Sequence, residues 1–213
     1  MQEEKLKRIK EIYLPQGQNA QGVVSIGNTV HRPLNSNSEY IHQLLQLLEQ
    51  KQYPYSPRYL GIDENGREIL TFIKGDIARG DIQWTNEQLI HITKMIKQFH
   101  DATEGCKLTE GKEVVCHNDL APWNLVIQNS QPVAFIDFDD SKPGYRIYDF
   151  AYFLSTFLDL RNGTTVEEQV RRIKLLNNEY SEFNSKDLIN PIIKQQKKIL
   201  KKHRSLAKKA KSL

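Results

Sequence analysis

Cysteine is scarce in this 213-residue sequence: Cys106 and Cys116 are the only two, and they form neither a CxxC pair nor a metal-ligand spacing. A disulfide framework is excluded, and both thiols are expected to be reduced and structural. Long apolar runs are missing as well. None approaches the ~20 residues that a membrane-spanning helix needs. The opening MQEEKLKRIK has no apolar segment behind its charges, so neither a membrane span nor a secretory signal is expected. No membrane partner follows from this, and the expected location is the cytoplasm. The glycine patterns G-x-x-x-x-G-K-[ST] and G-x-G-x-x-G are absent, as are internal repeats and low-complexity linkers.

What remains is the composition of a folded chain. Hydrophobic residues make up 38% and charged residues 26%, with nine Tyr and eight Phe, too many apolar groups for a disordered protein. A chain of this length can bury roughly 70% of its unfolded surface. The net charge of +4 conceals a split: residues 186 to 213 hold ten Lys or Arg against one Asp, whereas residues 1 to 185 hold twenty against twenty-five acidic residues. Within the basic tail, Ile189, Ile192, Ile193, Gln196, Leu200, His203 and Ala207 keep helical spacing. Either this stripe packs on the acidic body and leaves the lysines solvated, or the tail contacts nucleic acid or another polyanion.

Periodicity divides the chain. "GVVSIGNTVHRP" predicts strands at 23–26 and 29–32 around a Gly27-Asn28 turn, and "PRYLGIDENGREILTFI" predicts strands at 58–62 and 67–73. Between them, a helix capped by Ser38 places Ile41, Leu44, Leu45 and Leu48 on one face. Thr85 and Gln88 form a capping-box pattern ahead of a helix to about Ala102, and strands are expected at 113–116, 124–128 and 133–137, the last two joined by a turn at 129–132. Helices should follow at 149–159, 165–183 and from about Asn190. The expected fold is α+β and two-lobed, an N-terminal antiparallel sheet with one helix (1–75) and a mainly helical second lobe (76–213), with Gly75 at the boundary.

The stretch VVCHNDLAPWNLVIQ, residues 114 to 128, holds the polar residues with chemical use. Asp119, in a loop leaving a strand, can accept a proton from a hydroxyl, and the Asn124 amide oxygen is a hard, neutral metal ligand. Asp137 ends an apolar strand, and the expected hairpin brings it to the same end as Asn124. Each residue alone has a plainer reading: His117 as a satisfied core histidine, Asp119 and Asn124 as turn formers, Asp139 and Asp140 as solvated loop carboxylates.

Taken in order, H-x-D-x-x-x-x-N at His117, Asp119 and Asn124, I-D-F-D at 136–139 and YDFA at 148–151 resemble the aminoglycoside phosphotransferase family, with its protein-kinase-like fold, over most of residues 20 to 160. The resemblance implies ATP and Mg²⁺ as cofactors, with Asp119 as catalytic base and Asn124 and Asp137 as metal ligands. It also implies His117 as a structural member of the loop and Asp149 as its brace. For the nucleotide it implies Arg32 as the phosphate-binding cation where the family carries Lys, Val30 against the adenine, Glu49 as the helix carboxylate, and backbone groups of the 72–76 connection, Ile73 among them. Gly17 and Gly22 would flank a phosphate-covering loop.

The function so implied is ATP-dependent transfer of the γ-phosphate to a hydroxyl of a small molecule, for which an aminoglycoside is one candidate. A polycationic acceptor would call on Asp140, Asp159, Glu167, Glu168, Glu179 and Glu182. Two other classes compete. One is a nucleotide- or RNA-binding module with an inactive kinase-like core; the other is a metal-dependent phosphohydrolase using His117, Asp119, Asp137 and Asp139, which leaves Asn124 without a role.

Overall fold

A computed structural model describes residues 11–14, 22–78, 82–158 and 164–210. Five strands form the first sheet: β1 (Glu11–Tyr13), β2 (Val24–Ile26), β3 (Thr29–Arg32), β4 (Tyr59–Ile62) and β5 (Glu68–Thr71), in the order β1-β2-β3-β5-β4 and antiparallel throughout. The β2–β3 hairpin turns at Gly27-Asn28, with Gly27 at φ +60. Helix α1 (Ser38–Gln50) buries Ile41, Leu44, Leu45 and Leu48 beneath the sheet.

Ser38 does not cap this helix. Asn37 holds the cap position without a side-chain cap bond, and the Ser38 hydroxyl instead accepts from the Asn35 backbone N–H at 2.9 Å. The Asn37 side chain is spent elsewhere, donating to the carbonyl oxygens of Asp139 (2.7 Å) and Ser141 (3.3 Å) and so tying the first sheet's loop to the second lobe.

The chain crosses at Gly75, where φ is +143 and an added Cβ would lie 2.5 Å from the Ile127 carbonyl oxygen. Only glycine permits this approach, and it lets β6 (Asp76–Ile77) pair with β8 (Leu125–Gln128), itself paired with β9 (Gln131–Phe135). The β8–β9 turn is two residues rather than four, Asn129 and Ser130 both adopting positive φ. Pro132 therefore joins a strand, which is tolerated because β9 is at the sheet edge. Helix α2 (Asn86–Thr103) starts at the full Thr85/Gln88 capping box. Strand β7 (Val114–Cys116) pairs with β10 (Lys142–Gly144), and helices α3 (Arg146–Phe157), α4 (Val166–Tyr180) and α5 (Ile189–Ala210) complete the second lobe.

One hydrophobic cluster runs from α1 through Leu89, Ile92 and Phe99 of α2 to Phe150, Phe153 and Leu154 of α3. The basic tail forms α5 and lies on α3: Ile192 is buried, and Gln195 and Gln196 donate to the carbonyl oxygens of Tyr148 and Ser155. Ile189, Ile193 and Leu200 stay exposed, so only part of the apolar stripe is covered.

Candidate active site

β7 delivers the chain into a loop that must be held against its own conformational freedom. Asp149, fully buried in the first turn of α3, does this. Its Oδ2 accepts from the His117 backbone N–H (2.8 Å), its Oδ1 from the Asn118 N–H (2.9 Å), and His100 Nε2 of α2 lies 3.0 Å from Oδ2. Burial alone would raise this carboxyl, but the hydrogen bond from His100 and those from the loop N–H groups outweigh it and hold it below its ordinary value. Asn118 takes the left-handed conformation (φ +64) that asparagine tolerates, reversing the chain between His117 and Asp119.

His117 is fully buried. The Asp119 N–H points to its Nδ1 at 3.4 Å, so the ring proton sits on Nε2 and donates to the Ile136 carbonyl at 3.2 Å. Burial lowers its pKa and keeps the ring neutral. It bridges the loop to the end of β9 and, with both nitrogens engaged, acts as a structural member.

Asp119 itself is half-buried and doubly engaged. Asn124 Nδ2 donates to its Oδ2 (2.8 Å) and to its carbonyl oxygen (3.0 Å), while the Tyr152 hydroxyl of α3 donates to Oδ1 at 2.6 Å. Because the Asn124 nitrogen faces Asp119, its amide oxygen is directed away from the Asp119 carboxylate. The Asn124 carbonyl accepts from the Ile136 N–H at 2.9 Å, which sets Asp137 next to this loop.

Asp137 sits at φ +63, ψ +62, an uncommon conformation for aspartate that turns its carboxylate off the strand end. Although its carboxylate is half-exposed, partial desolvation and then the neighbouring Asp139 carboxylate push its pKa up. Its side chain has no hydrogen bond among the described residues; the nearest cation, Arg32 Nη1, is 3.9 Å away. A carboxylate with no hydrogen bond and only this distant cation, a second carboxylate at Asp139 and an amide oxygen on Asn124 are hard oxygen donors, and these residues fit Mg²⁺.

Arg32 projects from β3 to this edge. Its Nη2 donates to Asp139 Oδ1 at 2.6 Å, and its Nε lies 2.6 Å from Glu68 Oε1, close in distance but off the N–H direction, an ion pair rather than a hydrogen bond. Burial alone would lower the guanidinium pKa; the carboxylates of Asp139, Glu68 and Asp137 raise it instead.

The expected helix carboxylate requires correction. Glu49 is exposed and, among the described residues, its one cation partner is Arg58 at 3.9 Å, whereas Arg32 is matched by Glu68, its directly opposite residue in the β3–β5 register. Helix α1 contributes a histidine in place of a carboxylate: His42 Nε2 lies 2.7 Å from Glu68 Oε2, and its ring stacks on Tyr59 at 3.8 Å. The chain of contacts thus reads His42, Glu68, Arg32, Asp139, with Glu68 fully buried at its centre. Val30 is half-buried against the core two residues before Arg32, and Ile73 is half-buried in the connection to β6. Of the expected phosphate-covering loop, Gly22 is described, at φ +86, and Gly17 lies outside the described residues.

Residues 73–182 match the profile of the Phosphotransferase enzyme family. The chain belongs to this family. The matched span of this phosphotransferase-family chain carries His117, Asp119, Asn124, Asp137, Asp149 and Tyr152, while Arg32, His42 and Glu68 precede it. The trifolitoxin immunity protein of Rhizobium leguminosarum bv. trifolii is 32% identical over 133 residues, which span 55% of this chain and 51%, about half, of that relative. Among solved structures, the gentamicin complex of APH(2")-IIa aligns with a TM-score of 0.62 at 15% identity, over 92% of this chain and 83% of the other. APH(3'')-Id of Streptomyces rimosus, with ADP and streptomycin, gives 0.65 at 12% over 82% and 88%. An ethanolamine kinase of Plasmodium vivax gives 0.56 at 16% over 81% and 67%. At such identities these likenesses show the fold, which is protein-kinase-like.

Several residues of the site escaped the sequence reading. Glu68 alternates with Leu70 in β5 and so shares its core-facing side; a carboxylate on that face was the available signal. Tyr152 stands three residues after Asp149 on one face of α3, a spacing visible in the sequence. His100 offered no comparable cue, because its partner Asp149 comes 49 residues later.

Proposed function

We propose that the chain is an ATP-dependent small-molecule kinase, with residues 1–75 as the nucleotide-binding lobe and 76–213 as the catalytic lobe. The observation that carries this reading is that the Asn124 side-chain nitrogen holds the Asp119 carboxylate while the Asn124 carbonyl accepts from the Ile136 N–H next to Asp137; in this reading the Asn124 side-chain oxygen is left to the metal. In this reading Asp119 accepts the proton of an acceptor hydroxyl as its oxygen bonds to the γ-phosphorus and the bond to ADP breaks. Mg²⁺ bound by Asn124 and Asp137 would supply the positive charge that neutralises the transferring phosphoryl group. Arg32 supplies the phosphate cation from β3, Val30 the adenine contact and the Ile73 backbone the base contact.

On the acceptor, three of the six carboxylates expected to greet a polycation are already paired, and Asp140 and Glu167 have no ion pair among the described residues. Glu168 pairs with Arg171 and Arg172 at 2.6 and 2.8 Å, Glu182 lies 3.2 Å from Lys97 and 3.4 Å from Arg146, and Glu179 lies 3.6 Å from Lys94. Asp159 lies outside the described residues. The acceptor class is therefore left to a panel of hydroxylated compounds in which aminoglycosides are one member.

The test is ADP release from ATP or GTP with Mg²⁺ across aminoglycosides, amino alcohols and sugars. Turnover with at least one acceptor is expected, falling roughly 10²-fold or more in Asp119→Asn, the usual contribution of a general base. A folded protein whose turnover is the same in that variant contradicts the reading.

A further inference from the structure

Resting on that kinase reading, we propose that Tyr152 gates Asp119 against water: its hydroxyl holds the Oδ1 position from which the base would serve an acceptor, and gives it up only to an acceptor hydroxyl. The geometry is specific. The phenol donates to Oδ1 at 2.6 Å while Asn124 holds Oδ2, so each oxygen of the base already has an internal donor. The contact is built into α3 rather than left to a free rotamer. Asp149, Tyr152 and Thr156 share one face of this helix, and all three bind the same loop, Asp149 at the His117 and Asn118 N–H groups and Thr156 at the Leu120 carbonyl (2.8 Å). Between them, Phe150, Ala151, Phe153 and Leu154 are fully buried, which fixes the helix to the core.

Kinases must keep water, present at far higher concentration than any acceptor, from taking the transferring phosphoryl group. Water attack has the same balance as the productive step: its proton goes to Asp119, its oxygen bonds to phosphorus, and ADP leaves. A phenol on Oδ1 stands in competition with that water. Burial and the Asp119 hydrogen bond hold the phenol protonated, so it remains a donor. A hydrogen bond to a charged group is strong enough that its loss should be felt as roughly a tenfold change in rate. An acceptor positioned by its own contacts can displace the phenol; a lone water has no such help.

The experiment measures ADP release from MgATP without acceptor, alongside the thermal shift produced by MgATP, for wild type, Tyr152→Phe, Tyr152→Met and Tyr152→Phe with Asp119→Asn. The expected result is acceptor-free ADP release roughly tenfold above wild type in both single variants, with the rise abolished in the double variant. A residue that only supported the fold would lower turnover on removal, not raise it. If MgATP stabilises the wild type and neither folded single variant releases more ADP, the gate is wrong and the kinase reading stands. If MgATP neither binds nor turns over in any of the four proteins, the kinase reading falls and the gate with it.

Discussion

Asp149→Asn is the perturbation whose size the structure defines best. The wild-type carboxylate is fully buried and receives the His117 and Asn118 N–H groups and His100 Nε2 at 2.8 to 3.0 Å. Asparagine fills the same volume but offers one acceptor oxygen. With that oxygen at the Oδ2 position, the His117 and His100 contacts survive in neutral form, and the new NH₂ group faces the Asn118 N–H, donor against donor. The charge-assisted bond lost there costs about 1.5 to 3 kcal/mol, and the N–H left unpaired a further 1 to 3 kcal/mol. The expected destabilisation is about 3 to 5 kcal/mol, which at this chain length lowers the melting temperature by roughly 10 °C. Urea unfolding should show a reduced midpoint at unchanged slope. A loss below about 1 kcal/mol would refute the assignment of Asp149 as the brace of the loop, since no arrangement of the amide satisfies all three donors.

Glu68→Gln should cost about 3 kcal/mol in urea unfolding, because it strips the buried partner of Arg32 and His42, whereas the exposed Glu49→Gln should stay within about 0.5 kcal/mol; equal effects would restore Glu49 as the structural carboxylate. His117 predicts a pH dependence. Its folded pKa lies below its ordinary 6.5, so as pH falls through that value the unfolded chain binds the proton first and stability drops. The slope reaches at most about 1.4 kcal/mol per pH unit, and it should flatten in His117→Gln when melting temperature is followed from about pH 7 to about pH 5; an identical slope in that variant contradicts a buried neutral ring.

Local signals were legible in the sequence. The capping box at Thr85, the Gly27-Asn28 hairpin and the apolar faces of α1 and α2 are fixed by neighbours three or four residues away, and the ordered motifs at 117–124, 136–139 and 148–151 located the loop. The failures share a cause. Ser38 was passed over as a cap because Asn35 claims its hydroxyl, and Asn37 is drawn to the Asp139 turn 102 residues away. Glu49 gave way to Glu68 because cross-strand register, invisible until β3 and β5 are paired, decides which carboxylate meets Arg32. Asp139, read as a solvated loop carboxylate, is held by Arg32 and by Asn35 Nδ2 at 3.0 Å, contacts that exist only once the two lobes meet. Helix starts shifted less: α3 begins at Arg146 rather than Asp149 because the Arg146 N–H finds Glu113 Oε2 at 2.9 Å and its guanidinium finds Asp101 at 2.7 Å.

Asn124 and Asp137 are proposed to hold a divalent cation beside Asp119 for a bound nucleotide. Calorimetric titration of ATP into the wild type, with Mg²⁺ and with the metal chelated, and into Asp137→Ala with Mg²⁺, tests it most directly. Binding should depend on Mg²⁺ and weaken at least tenfold in Asp137→Ala. Equal affinity under all three conditions would contradict it.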